Sequence, residues 1–462
     1  MSNFYDSYQS PFSWRYGSVK MRQIFSEVNK RKTWRKVWAA LARAQNKMGL
    51  VSKKELDDIL KNQNNIDIET AHKFERDLKH DLMAEVMTYA TQAKIGGGKI
   101  HLGATSQDIE DNADAINFKM ALEIIEQQLK SLLSNWAKQI EDNKNLVCMA
   151  YTHLQPAEPT TLGYRFSYYA QDLLMDLELL AYVKKQIKGK GIKGAVGNSA
   201  SYVSLLGTKA QKLEDYVLAD LGISAFDVTG QVYPRKLDFL ILTLLSSIAQ
   251  SLNKFAFDLR ILQSSPFGEL AEPFGEKQVG SSAMPFKRNP QNSERICSLA
   301  RYIATLSRVS WDNAANSLLE RTLDDSASRR LVIPDSFLAT DEILTVSNNI
   351  VKNLVINNKN IERNLTQFGP FSALEAILLK STKNGANRQE MHEILRIHSM
   401  KVYDQMLKTG ENNLFKNLKQ DKKILKYLTE KEIENLSDYK THIGFAPKKA
   451  AETARKIKAQ IN

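Results

Sequence analysis

Two serines, a lysine and an asparagine stand together in the run Gly280-Ser281-Ser282-Ala283-Met284-Pro285-Phe286-Lys287-Arg288-Asn289-Pro290. Gly280 and the serines let this backbone move, and Pro285 limits the movement. Asn289 suits the N-cap of a helix and Pro290 its first position. A helix N-terminus with a lysine beside it attracts a carboxylate or a phosphate. A serine on such a loop can reach a bound anion once the loop closes. The plain alternative is a solvated Gly/Ser loop ahead of a helix.

Four further polar groups could do chemistry. Lys79-His80-Asp81 is followed by His101-Leu102-Gly103-Ala104-Thr105-Ser106-Gln107-Asp108. A His beside an Asp can be a satisfied surface pair, and Thr105 to Asp108 alone reads as a helix N-cap. Together these residues could offer hydroxyl and imidazole donors to a carboxylate. Tyr151-Thr152-His153-Leu154-Gln155-Pro156 sets an imidazole just ahead of a proline that limits its backbone. Imidazole suits proton transfer near neutral pH, and a structural role is the alternative. Gly230-Gln231-Val232-Tyr233-Pro234-Arg235-Lys236-Leu237-Asp238 is a loop entering a long helix, with Asp238 placed well for the helix dipole. Glu320 to Arg330 alternates charge as a solvated helix face does. Yet Arg forks with a serine close by also clamp a phosphate, and Arg15-Tyr16 could add a guanidinium and a phenol to such a site. The sequence has no Walker-type loop and no His-Glu-x-x-His pair. Its histidines and carboxylates show no metal spacing, so no metal and no cofactor are expected.

These groups must be positioned by long helices. No proline falls between Pro11 and Pro156, between Pro159 and Pro234, between Pro290 and Pro334, or between Pro370 and Pro447. Helix interiors exclude proline, so the gaps are where long helices could lie. Trp34, Val37, Trp38, Leu41 and Ala42 recur at helical spacing. Leu237 to Leu262 keeps an apolar face over a length of roughly 40 Å. Strand signals are few, with no Asn-Gly hairpin. The expected fold class is mainly α, built on a bundle of long helices. Glycine clusters at 96–98, 189–197 and 268–280 interrupt the helices. Boundaries near Thr105 and Asn357 divide the chain into 1–106, 107–356 and 357–462.

With 462 residues, 43% of them hydrophobic, the chain can bury a large core in two or three domains. Cys148 and Cys297 are too few for a disulfide framework, which points to a reducing compartment. The N-terminus lacks the pattern of a signal peptide, and the uncharged run Phe239 to Asn253 is too short to span a bilayer. The net charge is +12. From Lys401 onward there are 14 Lys and Arg against 8 Asp and Glu, so half the excess lies in the last 62 residues. Nucleic-acid binding would call for interleaved aromatics or a known module, and neither is found. A small polyanionic substrate could still gain from the positive field.

Taken together, the segments resemble the adenylosuccinate lyases, within the fumarase/aspartase superfamily. The resemblance runs from about Ser10 to about His392, and no motif is legible beyond about residue 400. The 280–290 loop alone identifies the superfamily. The narrower resemblance rests on Lys-His-Asp at 79–81, Leu-Gly-Ala-Thr-Ser at 102–106 and Thr-His-Leu-Gln-Pro at 152–156. It rests also on Gly-Gln-x-Tyr-x-Arg-Lys-x-Asp at 230–238 and Glu-Arg-Thr-Leu-Asp-Asp-Ser at 320–326. Fumarases and aspartases carry a different His-containing motif in the second region, and argininosuccinate lyases a different first region.

The resemblance implies a three-domain fumarase/aspartase-like fold with a central long-helix bundle. It also implies a cytoplasmic homotetramer, with twenty bundled helices and active sites shared by three subunits. The implied reactions are two β-eliminations of fumarate in purine synthesis, one from adenylosuccinate and one from the succinylated aminoimidazole carboxamide ribotide. Carried over residue by residue, Ser281 is the base, acting as an alkoxide favoured by loop amides, the helix end and Lys287. His153 is the general acid, paired with Glu294. Lys287 and Asn289 grip the succinyl carboxylates with Thr105 and Ser106. His80, Asp81, Arg15, Tyr16, Arg321, Ser326 and Arg330 hold the nucleotide, the arginines chiefly its phosphate. Thr152, Gln231 and Arg295 are further substrate contacts. An argininosuccinate-type sister lyase would not need the phosphate clamp. A non-catalytic protein on this scaffold would be expected to have lost Ser281, His153 or Lys287, and all three are present.

Overall fold

The computed structural model describes residues 6–461. Helices dominate, as the proline-free stretches predict. The principal ones are α1 (Glu27–Lys47), α2 (Asp81–Gln92), α3 (Ser106–Asn143), α4 (Leu162–Gln186), α5 (Lys236–Gln263), α6 (Gln291–Ala315), α7 (Asp324–Lys352) and α8 (Asn358–Lys383). Helices α3 and α8 start at Ser106 and Asn358, next to Thr105 and Asn357. Strands among the described residues are short. Val147–Thr152 (β1) and Gln155–Thr161 (β2) form an antiparallel hairpin, and Leu270–Ala271 pairs antiparallel with Val355–Ile356.

Local chemistry explains the helix starts. Ser26 caps α1 by accepting the N–H of Asn29, leaving Trp34, Val37, Trp38 and Leu41 to bury one face. At the head of α3 the N–H of Thr105 donates to Asp108 Oδ2 at 3.0 Å, and the Asp108 N–H returns to the Thr105 carbonyl. Helix α5 has 28 residues, about 42 Å at 1.5 Å per residue, in line with its apolar periodicity. By length and mean hydropathy α5 is long and apolar enough to cross a membrane, which the shorter run Phe239 to Asn253 was not. Within the chain, 56% of its most apolar window is buried.

Proline marks helix ends less strictly than expected. Pro334 lies inside α7 and Pro370 inside α8. Each removes one backbone donor, and for Pro334 the acceptor left without it is the carbonyl of Arg330. Long flanking helices keep both elements continuous through the missing bond.

The described residues form two compact units. One holds the chain up to Leu129 with Met175–Leu252 and Ser298–Thr345. The other holds Lys130–Leu174, Asn253–Cys297 and the chain from Val346 onward. The first unit packs Trp34, Trp38, Tyr89, Ile109, Tyr202 and Leu213 into one apolar cluster. It also buries an ionic network. Arg235 donates to Asp111 (3.0 Å) and Asp325 (2.6 Å), Arg329 donates to Asp238 (2.7 Å) and Asp114 (2.9 Å), and the Tyr233 hydroxyl donates to Asp238 (2.6 Å). Such a network fixes the register of α3, α5 and α7 more than it adds net stability. In the second unit the Trp136 ring packs tilted against Phe166 and Tyr169 and edge-on against Phe255, with centroids 4.9–5.6 Å apart. A further cluster around Ile377, Leu395, Leu414 and Ile433 packs beside α8.

Candidate active site

In the second unit the 280–290 loop is closed upon itself. The Asn289 amide donates to the Gly280 carbonyl at 2.8 Å, and the Gln291 amide donates to the same oxygen at 3.2 Å. A Cβ built on Gly280 would stand 2.0 Å from the Lys287 carbonyl oxygen, so only glycine fits the pinched base. Inside the loop Ser281 Oγ accepts the N–H groups of Met284 (3.1 Å) and Ala283 (3.4 Å). Two donors aimed at one hydroxyl oxygen favour its charged form over its neutral one. Lys287 is exposed on the same loop.

The helix start after this loop differs from expectation. Asn289 does not cap α6: the helix begins at Gln291, with Pro290 before it, and the Asn289 amide nitrogen donates to Gly280. Glu272 caps α6 from a distant loop instead, accepting from Asn292 N–H (3.1 Å), Ser293 N–H (3.0 Å) and Ser293 Oγ (3.0 Å). The positive end of α6 is therefore occupied by a buried carboxylate of the chain itself and is not left bare for an outside anion. The loop is tied to the end of α5 by Gln263, which donates to the Arg288 carbonyl (3.0 Å) and accepts from the Glu272 N–H (3.0 Å). Glu294 and Arg295 lie in the first turns of α6, where Glu294 stands 4.0 Å from Arg260.

Thr152 ends β1, and His153 and Leu154 form the two-residue turn of the hairpin. Both turn residues are left-handed, with φ of 54° and 61°. That is the backbone of a tight hairpin turn, uncommon for residues other than glycine. The turn, rather than Pro156, holds the His153 backbone, and its side chain is exposed. Within one chain His153 makes no ion pair with Glu294. The hairpin's root is anchored by buried Glu269, which accepts from Tyr151 OH (2.7 Å), Arg165 Nη1 (3.1 Å) and Asn364 Nδ2 (3.0 Å). Sequence reasoning missed Glu269 and Glu272. Their signal was two carboxylates three apart in the glycine-broken segment 268–280.

In the first unit, Arg321, Ser326 and Arg330 line a cavity of 340 Å³ together with Arg329, Gln107 and Glu110. Arg321 donates to Asp325 (3.0 Å), and Arg330 pairs with Asp81 (2.7 Å). Burial raises the Asp81 carboxyl, but the Arg330 guanidinium outweighs it and holds the group below the usual carboxylate range. His80 caps α2 and lies 3.9 Å from Asp81, so the Lys-His-Asp motif is joined to the cavity wall through Arg330. Thr105 and Ser106 open α3. The Asp108 after them is fully buried, paired with Lys190, and accepts the N–H groups of Lys193 and Gly194. His101 is structural: Trp38 Nε1 donates to its Nδ1 at 3.1 Å, and burial pushes the imidazole down to about 4. The Gln231 N–H donates to the Glu320 carbonyl (3.0 Å), joining the 230–238 and 320–330 motifs. Arg15 rests 5.7 Å from the rings of Trp14 and Tyr16, and neither Arg15 nor Tyr16 lines the cavity. Among the described residues no group of three or more His, Cys, Asp or Glu side chains is placed to hold a metal ion.

Comparison with known proteins places the chain in a family. A family model described as lyase matches residues 15–304, and one described as adenylosuccinate lyase C-terminus matches residues 370–452. The adenylosuccinate lyase of Schistosoma mansoni is 41% identical over 425 residues, covering 90% of this chain and 88% of that protein. That of Saccharomyces cerevisiae is 38% identical, covering 98% and 95%. That of Methanocaldococcus jannaschii is 37% identical, covering 97% and 96%. Among solved structures, a fumarate lyase from Mesorhizobium sp. BNC1 superposes with a TM-score of 0.85 at 21% identity, covering 97% of this chain and 99% of the other. A 3-carboxy-cis,cis-muconate lactonizing enzyme from Pseudomonas putida gives 0.87 at 22%, covering 98% and 99%. Those two likenesses establish the fold, and the closer relatives the narrower group: the chain belongs to the adenylosuccinate lyase family, on the fumarase/aspartase-type helical scaffold.

Proposed function

We propose that this protein is an adenylosuccinate lyase. It cleaves adenylosuccinate to AMP and fumarate, and the succinylaminoimidazole carboxamide ribotide to the carboxamide ribotide and fumarate, in purine biosynthesis. It is a cytoplasmic homotetramer acting on purine nucleotides without a cofactor. Both reactions break a carbon–nitrogen bond β to a carboxylate. Ser281, as the alkoxide, takes the Cβ proton. The electron pair of that bond forms the new double bond, the C–N bond breaks, and His153 delivers a proton to the departing nitrogen. Negative charge spreads onto the adjacent carboxylate, and Lys287 and Asn289, with Thr105 and Ser106, are the groups assigned to it. Glu294 orients His153 from a neighbouring subunit. Arg321, Ser326 and Arg330, with His80, Asp81, Arg15 and Tyr16, hold the nucleotide, and Thr152, Gln231 and Arg295 complete the contacts.

The observation that carries this reading is the pair of amides directed at Ser281 Oγ within a loop closed at Gly280. Serine turns of this kind also cap ordinary helices, as Ser26 does; what sets this loop apart is its glycine-only base, with Lys287 exposed beside Ser281. No observation favours the argininosuccinate-type alternative. The test is the ultraviolet absorbance change when purified protein meets adenylosuccinate. AMP and fumarate should form, and Ser281→Ala should slow their formation by about 10²–10⁴-fold. Turnover of argininosuccinate with silence on adenylosuccinate would overturn the assignment.

A further inference from the structure

Gln107 and Glu110 lie three residues apart on the first turns of α3, a spacing that puts both on one face. Both line the cavity that holds Arg321, Ser326 and Arg330. Gln107 is 8% exposed. Its Nε2 donates to Glu110 Oε2 at 2.5 Å, while its Oε1 is buried with no hydrogen-bond partner. A buried carbonyl oxygen without a donor is costly, so this amide awaits a partner.

Glu110 is the second anomaly. It shares a cavity with three arginines and pairs with none of them: Arg321 serves Asp325, Arg329 serves Asp114 and Asp238, and Arg330 serves Asp81. Acidic groups crowd it from its own helix (Asp111 and Asp114) and from the start of α2 (Asp81). Glu27 and Lys30 of α1 face the same cavity. Burial first, then Asp81 and Asp114, push its carboxyl from near 4.5 up to about 8, against the pull of Arg330. A carboxyl so placed keeps its proton at neutral pH.

We propose that Gln107 and Glu110 extend the clamp as a neutral hydrogen-bonding pair for the nucleotide phosphate, and that the phosphate binds only while Glu110 is protonated. This rests on the reading that Arg321, Ser326 and Arg330 hold that phosphate. The orphan oxygen then finds a use. The Gln107 amide can turn over, since its oxygen and nitrogen have the same shape. The Glu110 O–H donates to Gln107 Oε1, and the Gln107 N–H donates to a phosphate oxygen. The orphan Oε1 then has a donor and the Glu110 proton has an acceptor. An ionised Glu110 would accept the amide N–H instead, withdrawing it from the phosphate and adding like-charge repulsion.

The experiment is calorimetric titration of the full-length protein with AMP between pH 7 and pH 9, where the phosphate stays a dianion. For a proton requirement near 8 the wild-type Kd should rise about tenfold across this range. Glu110→Gln, which cannot ionise, should change less than about twofold. Titrations at pH 8.5 in two buffers of different ionisation enthalpy should record proton uptake with wild type and none with the variant. Arg330→Ala should weaken AMP binding at every pH. A wild-type response as flat as that of Glu110→Gln overturns this inference and leaves the clamp standing if Arg330→Ala still loses AMP. Unimpaired AMP binding by Arg330→Ala overturns the clamp itself.

Discussion

In its proposed role as base, Ser281 is the residue whose surroundings ask most of its chemistry. A serine hydroxyl is a poor base in water, and the loop answers with backbone donors fixed by Gly280, Asn289 and Gln291. The position that decides whether those donors stay aimed is Gly280, because a methyl there collides with the carbonyl of Lys287 and comes within 3.2 Å of Arg288 Cα. Gly280→Ala should therefore lower kcat/KM by about 100-fold through a displacement on the order of 1 Å. Thermal unfolding should fall only slightly, since Gly280 is buried but residues 282–288 of the loop are exposed and outside both cores. Full activity in this variant would mean that the pinched base is not what positions Ser281. At this scale the sequence shows which residue types could make a site, because chemistry selects them: a Lys, two serines, a His just ahead of a proline, clustered arginines. Their partners were not legible in it. Asn289 looked like a cap and is a loop tie; Glu272 caps from another segment; His153 owes its backbone to a left-handed turn and not to Pro156.

At the scale of elements, the hairpin that carries His153 depends on what it packs against. Its root is locked by Glu269, while its second strand meets α8 through two carboxyls, Glu158 and Glu375, which share a hydrogen bond. That bond, then burial, then repulsion from Glu375, push Glu158 from near 4.5 up to about 7. The native state therefore holds a proton that the unfolded chain has lost between those values. Stability from this pair is full below about pH 4.5 and drains away as pH rises through 7. Replacing Glu375 with Gln keeps the hydrogen bond and removes the repulsion. Unfolding temperatures of wild type and Glu375→Gln should thus diverge between pH 5 and pH 8, the variant holding its value at the alkaline end. Parallel curves would sink this account of the hairpin's docking. The long helices were readable from apolar spacing and missing prolines. The hairpin was not, because His153-Leu154 adopts a turn that Asn-Gly usually marks. Nor were the helix-internal Pro334 and Pro370, which neighbouring turns tolerate. The last helices carry packing residues such as Leu414 and Ile433 but no chemistry, so the family match over 370–452 had no counterpart in the motifs.

The whole molecule leaves apolar surface that a lone chain would be expected to cover. Phe286 and Leu319 are 83% and 95% exposed, and nearly half of the apolar window of α5 is not buried within the chain. Surfaces of that kind mark association, consistent with the proposed homotetramer. Shared sites have a quantitative consequence. Let Ser281→Ala and His153→Ala chains be mixed in equal amounts, exchanged under mild denaturant, and returned to native conditions. If each site draws its serine and its histidine from different chains, random assortment gives about a quarter of the sites both intact residues. Activity near that share of wild type is then expected from two inactive parents. If serine and histidine come from the same chain, no site in any mixed tetramer regains both, and the mixture stays inactive however completely the subunits exchange. Mass-tagged chains would establish that exchange had occurred, so that silence counts against shared sites and not against mixing.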